Sequence, residues 1–284
     1  MIKLKALVII DPQNDFCKAP QTKIVDIADG CDKAEKNIPG GSLYVDGADA
    51  DMARLSVFIR DNAFDITDIY ITADDHKRLD IAHPMWWVNS DNYNPDPFTV
   101  ITARDVINGT WKSSVPEYQY WTELYIQKLD DQGNYPHVIW PYHCIAGTEG
   151  AAIVPVVVDA LRDWEDIMYK SPELIRKGQD PLSEHYSAVK AEVVTADPRT
   201  NVNQDFISEL MINDEIIVAG EALSHCVANT VRDMIRYNID PKKIIILSDC
   251  TSSVTTFEEL GESFQREMEL IGVRFMESTE YESE

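Results

Sequence analysis

The chain has 284 residues, 44% of them hydrophobic and 9% aromatic, enough for a substantial buried core. Forty-nine acidic against 25 basic residues give a formal charge of −24, which repels phosphate backbones and anionic membranes, so nucleic-acid and membrane-surface roles are excluded as expectations. Five scattered cysteines without C-x-x-C spacing argue against a disulfide framework or a structural zinc knuckle.

The apolar run at 6–10 is too short for a signal segment and no run reaches the ~20 apolar residues of a membrane span, so a cytoplasmic protein with reduced thiols is expected. In chain order the short apolar, β-branched runs are 6–10 (ALVII), 68–72 (DIYIT), 137–140 (HVIW), 166–169 (DIMY), 215–219 (EIIVA) and 243–248 (KIIILS), with 272–275 (GVRF) as a candidate edge strand. Their hydrophobicity is continuous rather than alternating, which predicts strands buried on both faces. Helical spacing predicts helices over 48–62, 152–164, 225–237 and 255–271, the last opening on a Thr-to-Glu capping-box pattern. The expected fold is therefore α/β: a three-layer α/β/α sandwich, Rossmann-like, around a mostly parallel sheet of about six strands. Residues 84–136, rich in Trp, Tyr and Pro with a helix near 117–129, are too long for a crossover and predict an insertion with its own small structure. The whole chain, 1–284, is expected to be one domain carrying that insertion and a short acidic C-terminal tail.

Ligands of open parallel sheets bind beyond the carboxyl ends of the strands. Residues there are Asp11, Asp74 with His76, His143 with Cys144, the segment leading to Lys177, the 220–226 loop, and Asp249 with Cys250. Cys226 follows a strand and opens a predicted helix, where unpaired N–H groups would lower a thiol pKa; an isolated cysteine is equally a packing residue. Asp11 reads as a cap or as a positioned acid/base, and Lys177 as a surface lysine or as the counter-charge of a thiolate. Asp74, His76 and His143 offer one carboxylate and two imidazoles, a set that leaves positions open on a divalent ion; surface histidines explain the spacing as well.

Together the segments ALVIIDPQNDF, ITADDH, WPYHCIAGTEGA, IRKGQDPLSEHYSAV and IIVAGEALSHCVANTVRD resemble, in this order, the isochorismatase-like cysteine hydrolases, and among them the nicotinamidases. The resemblance implies Asp11, Lys177 and Cys226 as a catalytic triad and Asp74, His76 and His143 as ligands of one divalent metal, zinc first, with iron or manganese as alternatives. It implies Phe16, Trp140 and Tyr186 as substrate-binding residues, and a cis peptide between Ala222 and Leu223 with oxyanion donors on Leu223 and Cys226. His83 is left open as a further ligand. Asp75, standing where many members carry Trp, either adds a carboxylate to the metal site or faces solvent.

The implied activity is hydrolysis of nicotinamide to nicotinate and ammonia through a Cys thioester, in NAD salvage. Alternatives are an amidase of the same family acting on another small amide, and a non-catalytic ligand-binding member; a vinyl-ether hydrolase fits less well. The partner expected is a small-molecule amide, with self-association left open.

Overall fold

The computed structural model describes residues 3–26 and 33–282. Its centre is a six-stranded parallel sheet of β1 (Lys5–Ile10), β2 (Asp68–Asp74), β3 (Glu173–Lys177), β4 (Glu215–Gly220), β5 (Ile244–Leu247) and β6 (Arg274–Met276). Across the sheet the order is β6-β5-β4-β1-β2-β3. Every residue of β1 is buried, and the unbroken apolar run Ala6–Ile10 is what a central strand flanked on both sides requires.

Among the described residues the longer helices are α1 (Ala48–Asp61), α2 (Gln119–Gln132), α3 (Pro155–Met168), α4 (Gln204–Met211), α5 (Ala228–Arg236) and α6 (Glu258–Ile271), of which α2 lies in the 84–136 segment rather than on the sheet. The chain steps outward from β1 to β2 and β3, then returns and steps the other way from β4 to β5 and β6. Right-handed crossovers therefore put α1 and α3 on one face and α5 and α6 on the other. Strand order reverses between β1 and β4, so a crevice opens at their carboxyl ends. Gly220 ends β4 there with φ +107°, and a Cβ at that position would stand 2.0 Å from the Ile10 carbonyl oxygen; only glycine lets the two strand ends meet so closely.

Five of the seven predicted strands lie in this sheet, and two do not. The 166–169 run is the end of α3 and its cap, where Met168 packs against the core while Ile167 and Tyr169 are exposed. The missing strand is β3, an edge strand in which Glu173, Arg176 and Lys177 interrupt the apolar signal. The 137–140 run contributes only His137–Val138, paired antiparallel with Val100–Ile101. The helix expected from 255 begins at Glu258 without a side-chain cap, because Thr256 adopts φ +76° and cannot enter the helix. An antiparallel pair of strands, Gln21–Asp26 and Lys33–Ile38, was not foreseen.

The 84–136 segment has a core of its own, in which Trp86, Trp87, Ile101, Val106, Tyr125, Ile126 and Leu129 are buried together with Ile81, Ile139 and Val193. Trp86 Nε1 donates to Thr122 Oγ1 at 3.0 Å and Trp87 Nε1 to the Ile81 carbonyl at 2.7 Å, so both indoles are satisfied inside it. Cys17, Cys144, Cys226 and Cys250 are buried free thiols, and Cys31 lies outside the described residues. Among the described residues no helix is long and apolar enough to cross a membrane.

Candidate active site

The crevice between β1 and β4 brings together three side chains from three strand ends. Asp11 directly follows β1 in a left-handed conformation, φ 44°, which turns its carboxylate back over the sheet. Its backbone N–H donates to Thr72 Oγ1 at 3.1 Å, and the Thr72 hydroxyl donates to Asp11 Oδ1 at 2.6 Å. Lys177, the last residue of β3, reaches across β2 to place Nζ 2.8 Å from Asp11 Oδ2, 2.6 Å from Asp74 Oδ1 and 3.5 Å from Cys226 Sγ. The His185 carbonyl is a fourth neighbour, at 3.1 Å. All three candidate catalytic residues are buried.

Burial opposes the charge on Lys177, but the facing Asp11, Asp74 and Cys226 override it and hold the ammonium well above its ordinary range. Burial also pushes Asp11 up, against the pull of Lys177. Cys226 is likewise raised by burial, well above an ordinary thiol, with Lys177 lowering it only in part. The expectation of a thiolate kept ready by a helix N-terminus is therefore corrected. Cys226 sits inside a π-helical turn, Leu223–Val227, that precedes α5, and burial outweighs the helix dipole. A neutral thiol faces a carboxylate of raised basicity, an arrangement for proton transfer at the moment of attack.

The nucleophile loop differs from expectation in a second way. The cis peptide joins Glu221 to Ala222, one bond earlier than Ala222–Leu223. The Leu223 N–H donates to the Ser252 carbonyl at 2.8 Å, so it is committed to the loop that carries Ser252 and is not free to receive an oxyanion. Glu221 anchors the turn, its N–H on the Ile10 carbonyl at 2.7 Å and its Oε2 accepting from Ser252 N at 3.1 Å.

Asp74, His76 and His143 present ligand atoms within 4.8 Å of one another, all buried. His76 Nε2 lies 3.7 Å from Asp74 Oδ1 and His143 Nε2 3.9 Å from Asp74 Oδ2. Asp80 Oδ2 stands 3.2 Å from His76 Nδ1 and the Pro141 carbonyl 2.9 Å from His143 Nδ1, which fixes both rings with Nε2 turned toward Asp74. His76 Nε2 is buried without a hydrogen-bond partner, a lone pair that a cation would satisfy. One carboxylate oxygen and two imidazole nitrogens fit a divalent metal with open positions. Gly178, at φ +73°, keeps this room: a Cβ there would stand 3.0 Å from His76 Cε1. His83 lies outside that convergent group, with Nδ1 on the Lys77 carbonyl at 3.1 Å and Nε2 facing His143 Nδ1 at 3.3 Å. Asp75 turns away, accepting from Gln179 Nε2 at 2.8 Å and lying 3.5 Å from Arg176.

Over Cys226 a narrow cavity is walled by Phe16, Trp140 and Tyr186, the three aromatic residues singled out from sequence, and also by Glu184, His225 and Val254. Trp140 Nε1 donates to the Tyr186 hydroxyl at 3.0 Å, and the Trp140 ring meets His225 edge-on at 5.0 Å. These contacts leave flat apolar walls suited to a planar ring. Sequence reasoning missed Gln13, whose amide exchanges two 2.8 Å bonds with the Asp74 backbone and ties the ends of β1 and β2. It also missed Asp80, His225 and Glu184; the last is pushed up to about 7 by burial and keeps Oε2 unpartnered beside the cavity. His225 adjoins Cys226 and Glu184 adjoins Tyr186 within recognised segments, so neighbourhood was the only available signal. Asp249 and Cys250 are not drawn into the site: the Asp249 carboxylate binds Ser278 N at 2.6 Å and Oγ at 2.7 Å.

No family model matches the chain. A curated nicotinamidase/pyrazinamidase of Mycobacterium tuberculosis is 24% identical over 268 residues, 94% of this chain and 98% of that protein. Among solved structures, the yeast nicotinamidase bound to the inhibitor nicotinaldehyde superposes with a TM-score of 0.62 at 20% identity, covering 96% of this chain and 100% of that one. A pyrazinamidase of Pyrococcus horikoshii in complex with zinc gives 0.53 at 18% identity, covering 96% and 98%. The β6-β5-β4-β1-β2-β3 sheet and these likenesses place the chain in the isochorismatase-like α/β fold, alongside the nicotinamidases.

Proposed function

We propose that the protein is a metal-dependent cysteine amidohydrolase that converts nicotinamide and water to nicotinate and ammonia. The observation that carries this reading is the meeting of Asp11 and Lys177 with Cys226, which lines an aromatic cavity. A metal bound by Asp74, His76 and His143, zinc by analogy with the Pyrococcus protein, would act as a Lewis acid that holds the ring nitrogen of the substrate.

Phe16, Trp140 and Tyr186 bind the pyridine ring and exclude water from it. Cys226 Sγ attacks the carboxamide carbon while its proton passes to Asp11. The developing oxyanion is received by the Ala222 and Cys226 N–H groups, Leu223 being committed elsewhere. Asp11 then gives its proton to the departing nitrogen, ammonia leaves, and a thioester remains on Cys226. Water loses a proton to Asp11 and attacks the thioester; nicotinate departs, and the proton returns to Cys226. Lys177 stays charged throughout and keeps the Asp11 carboxylate aimed at the sulfur.

A second reading, the same chemistry on a different small amide, is favoured by Glu184, whose unpartnered Oε2 borders the cavity and would pair with a polar substituent. Ammonia release across a panel of nicotinamide, pyrazinamide, hydroxylated aromatic amides and aliphatic amides decides between them. Highest kcat/KM on nicotinamide supports the first reading; a hydroxylated or aliphatic amide preferred at least tenfold supports the second. The cytoplasm and NAD salvage follow as the setting of that activity, and one domain with an inserted 84–136 substructure as its vehicle.

A further inference from the structure

The turn that carries the nucleophile begins with a buried acidic residue that no step of the proposed reaction uses. Glu221, the residue before Ala222, is 0% exposed, and among the described residues its Oε1 has no donor from which to accept a hydrogen bond. Its Oε2 accepts from Ser252 N at 3.1 Å. Opposite stands Asp51 of α1, 2% exposed and hydrogen-bonded to Glu221 side chain to side chain. Two carboxylates are both acceptors, so that bond exists only with a proton on one of them. Asp51 is the anion of the pair, because the Arg54 guanidinium donates to its Oδ1 and the Ser252 hydroxyl to its Oδ2, the latter at 2.6 Å. Glu221 is therefore the acid: burial and the facing Asp51 hold its carboxyl well above the ordinary range. The other titratable neighbours leave this assignment in place. Asp249, beyond β5, faces Arg54 at 3.8 Å, and the Cys17 and Cys250 thiols are neutral, each pushed up by burial.

We propose that Glu221 is a positioning residue of the active site, a carboxylic acid whose proton, donated to Asp51, keeps the Ala222 N–H aimed at the oxyanion. The hydrogen bonds lead there directly. Ser252 binds both acids, Glu221 through N and Asp51 through Oγ, and its carbonyl takes the Leu223 N–H at 2.8 Å. The Glu221 N–H donates to the Ile10 carbonyl at 2.7 Å, next to Asp11 in the chain. The Ala222 carbonyl accepts from His225 N at 3.0 Å and Val227 N at 3.1 Å, the residues on either side of Cys226. The peptide between Glu221 and Ala222 is thus held through the Glu221 side chain as well as through its own groups, and loss of the proton would set two buried carboxylates against each other beside it. Desolvation keeps such an acid neutral at working pH so that it can donate. The positioning role rests on the amidase reading; the shared proton does not.

Two variants of the full chain test it. Glu221→Gln keeps a donor for Asp51 and an acceptor for Ser252 N, whereas Glu221→Leu keeps neither. Glu221→Leu should lower kcat about 10–100-fold with KM within about twofold, because the oxyanion contact is made in the transition state, and the conservative Glu221→Gln should restore kcat to within about threefold of wild type. With rising pH the wild-type kcat should fall as Glu221 loses its proton, and that alkaline limb should be missing from Glu221→Gln, whose amide remains a donor. In the infrared, the wild-type protein at neutral pH should show a carboxylic-acid C=O band that shifts in D2O and is missing from Glu221→Gln. Identical acid bands in the two proteins would show Glu221 ionised and overturn the shared proton. Wild-type kcat in a folded Glu221→Leu would overturn the positioning role; if that variant does not fold, an alkaline limb unchanged in Glu221→Gln does so instead. A chain that hydrolyses no amide fails the amidase reading and the positioning role with it, while the infrared band still decides the proton.

Discussion

Lys177 Nζ stands 2.8 Å from Asp11 Oδ2, and both side chains are withdrawn from solvent. The ammonium also lies 2.6 Å from Asp74, so one cation is shared by the carboxylate beside the sulfur and the carboxylate beside the two histidines. Replacing Lys177 by Met leaves two buried carboxylates facing each other without a counter-charge. A loss of roughly 3–5 kcal/mol in stability follows, together with loss of amidase activity. Chemical denaturation measures the first and ammonia release the second; unchanged stability would show that the cation does not hold the two acids together.

The raised Asp11 carboxyl sets the acid limb of the pH profile. Asp11 must be ionised to take the thiol proton, so kcat/KM should rise with pH through an apparent pKa above the ordinary carboxylate value of 3.8. Asp11→Asn should remove activity across the whole range rather than shift the limb. A limb at or below the ordinary value would contradict the desolvated environment of Asp11.

Asp80 orients His76 through a 3.2 Å contact with Nδ1. Asp80→Asn should weaken divalent-metal binding about 10–100-fold, read by competition with a chromogenic chelator. Retained affinity would show that His76 is oriented by other contacts.

Glu192 is buried and pushed up to about 8, chiefly by burial. A folded-state pKa above the unfolded value means that its stabilising contribution is complete below about pH 4.5 and is lost as pH rises toward 8. Glu192→Gln should therefore flatten the fall in melting temperature between those limits. An unaltered slope would assign the pH dependence to other groups.

Much of the fold was legible because the central strands are buried on both faces and so are apolar without interruption: β1, β2, β4 and β5 announce themselves. β3 was not legible, since an edge strand carries Glu173, Arg176 and Lys177 among its five residues, and the end of α3 mimicked it. At the site, residue types at strand ends were readable, and the structure brings Asp11, Lys177 and Cys226 together as well as Asp74, His76 and His143. What was not readable depends on backbone conformation and on contacts distant in sequence. The position of the cis bond, the commitment of the Leu223 N–H to Ser252 and the protonated resting state of Cys226 arise from packing among loops far apart in the chain.

The central claim is that Cys226 forms a thioester with the acyl group of nicotinamide. Acid-quenched reaction followed by peptide mapping tests it directly. A nicotinoyl adduct on the peptide containing Cys226, absent from Cys226→Ala together with a loss of turnover on the order of 10³-fold or more, is the predicted result. Turnover of nicotinamide that survives Cys226→Ala, or an acyl adduct on another residue, would contradict it.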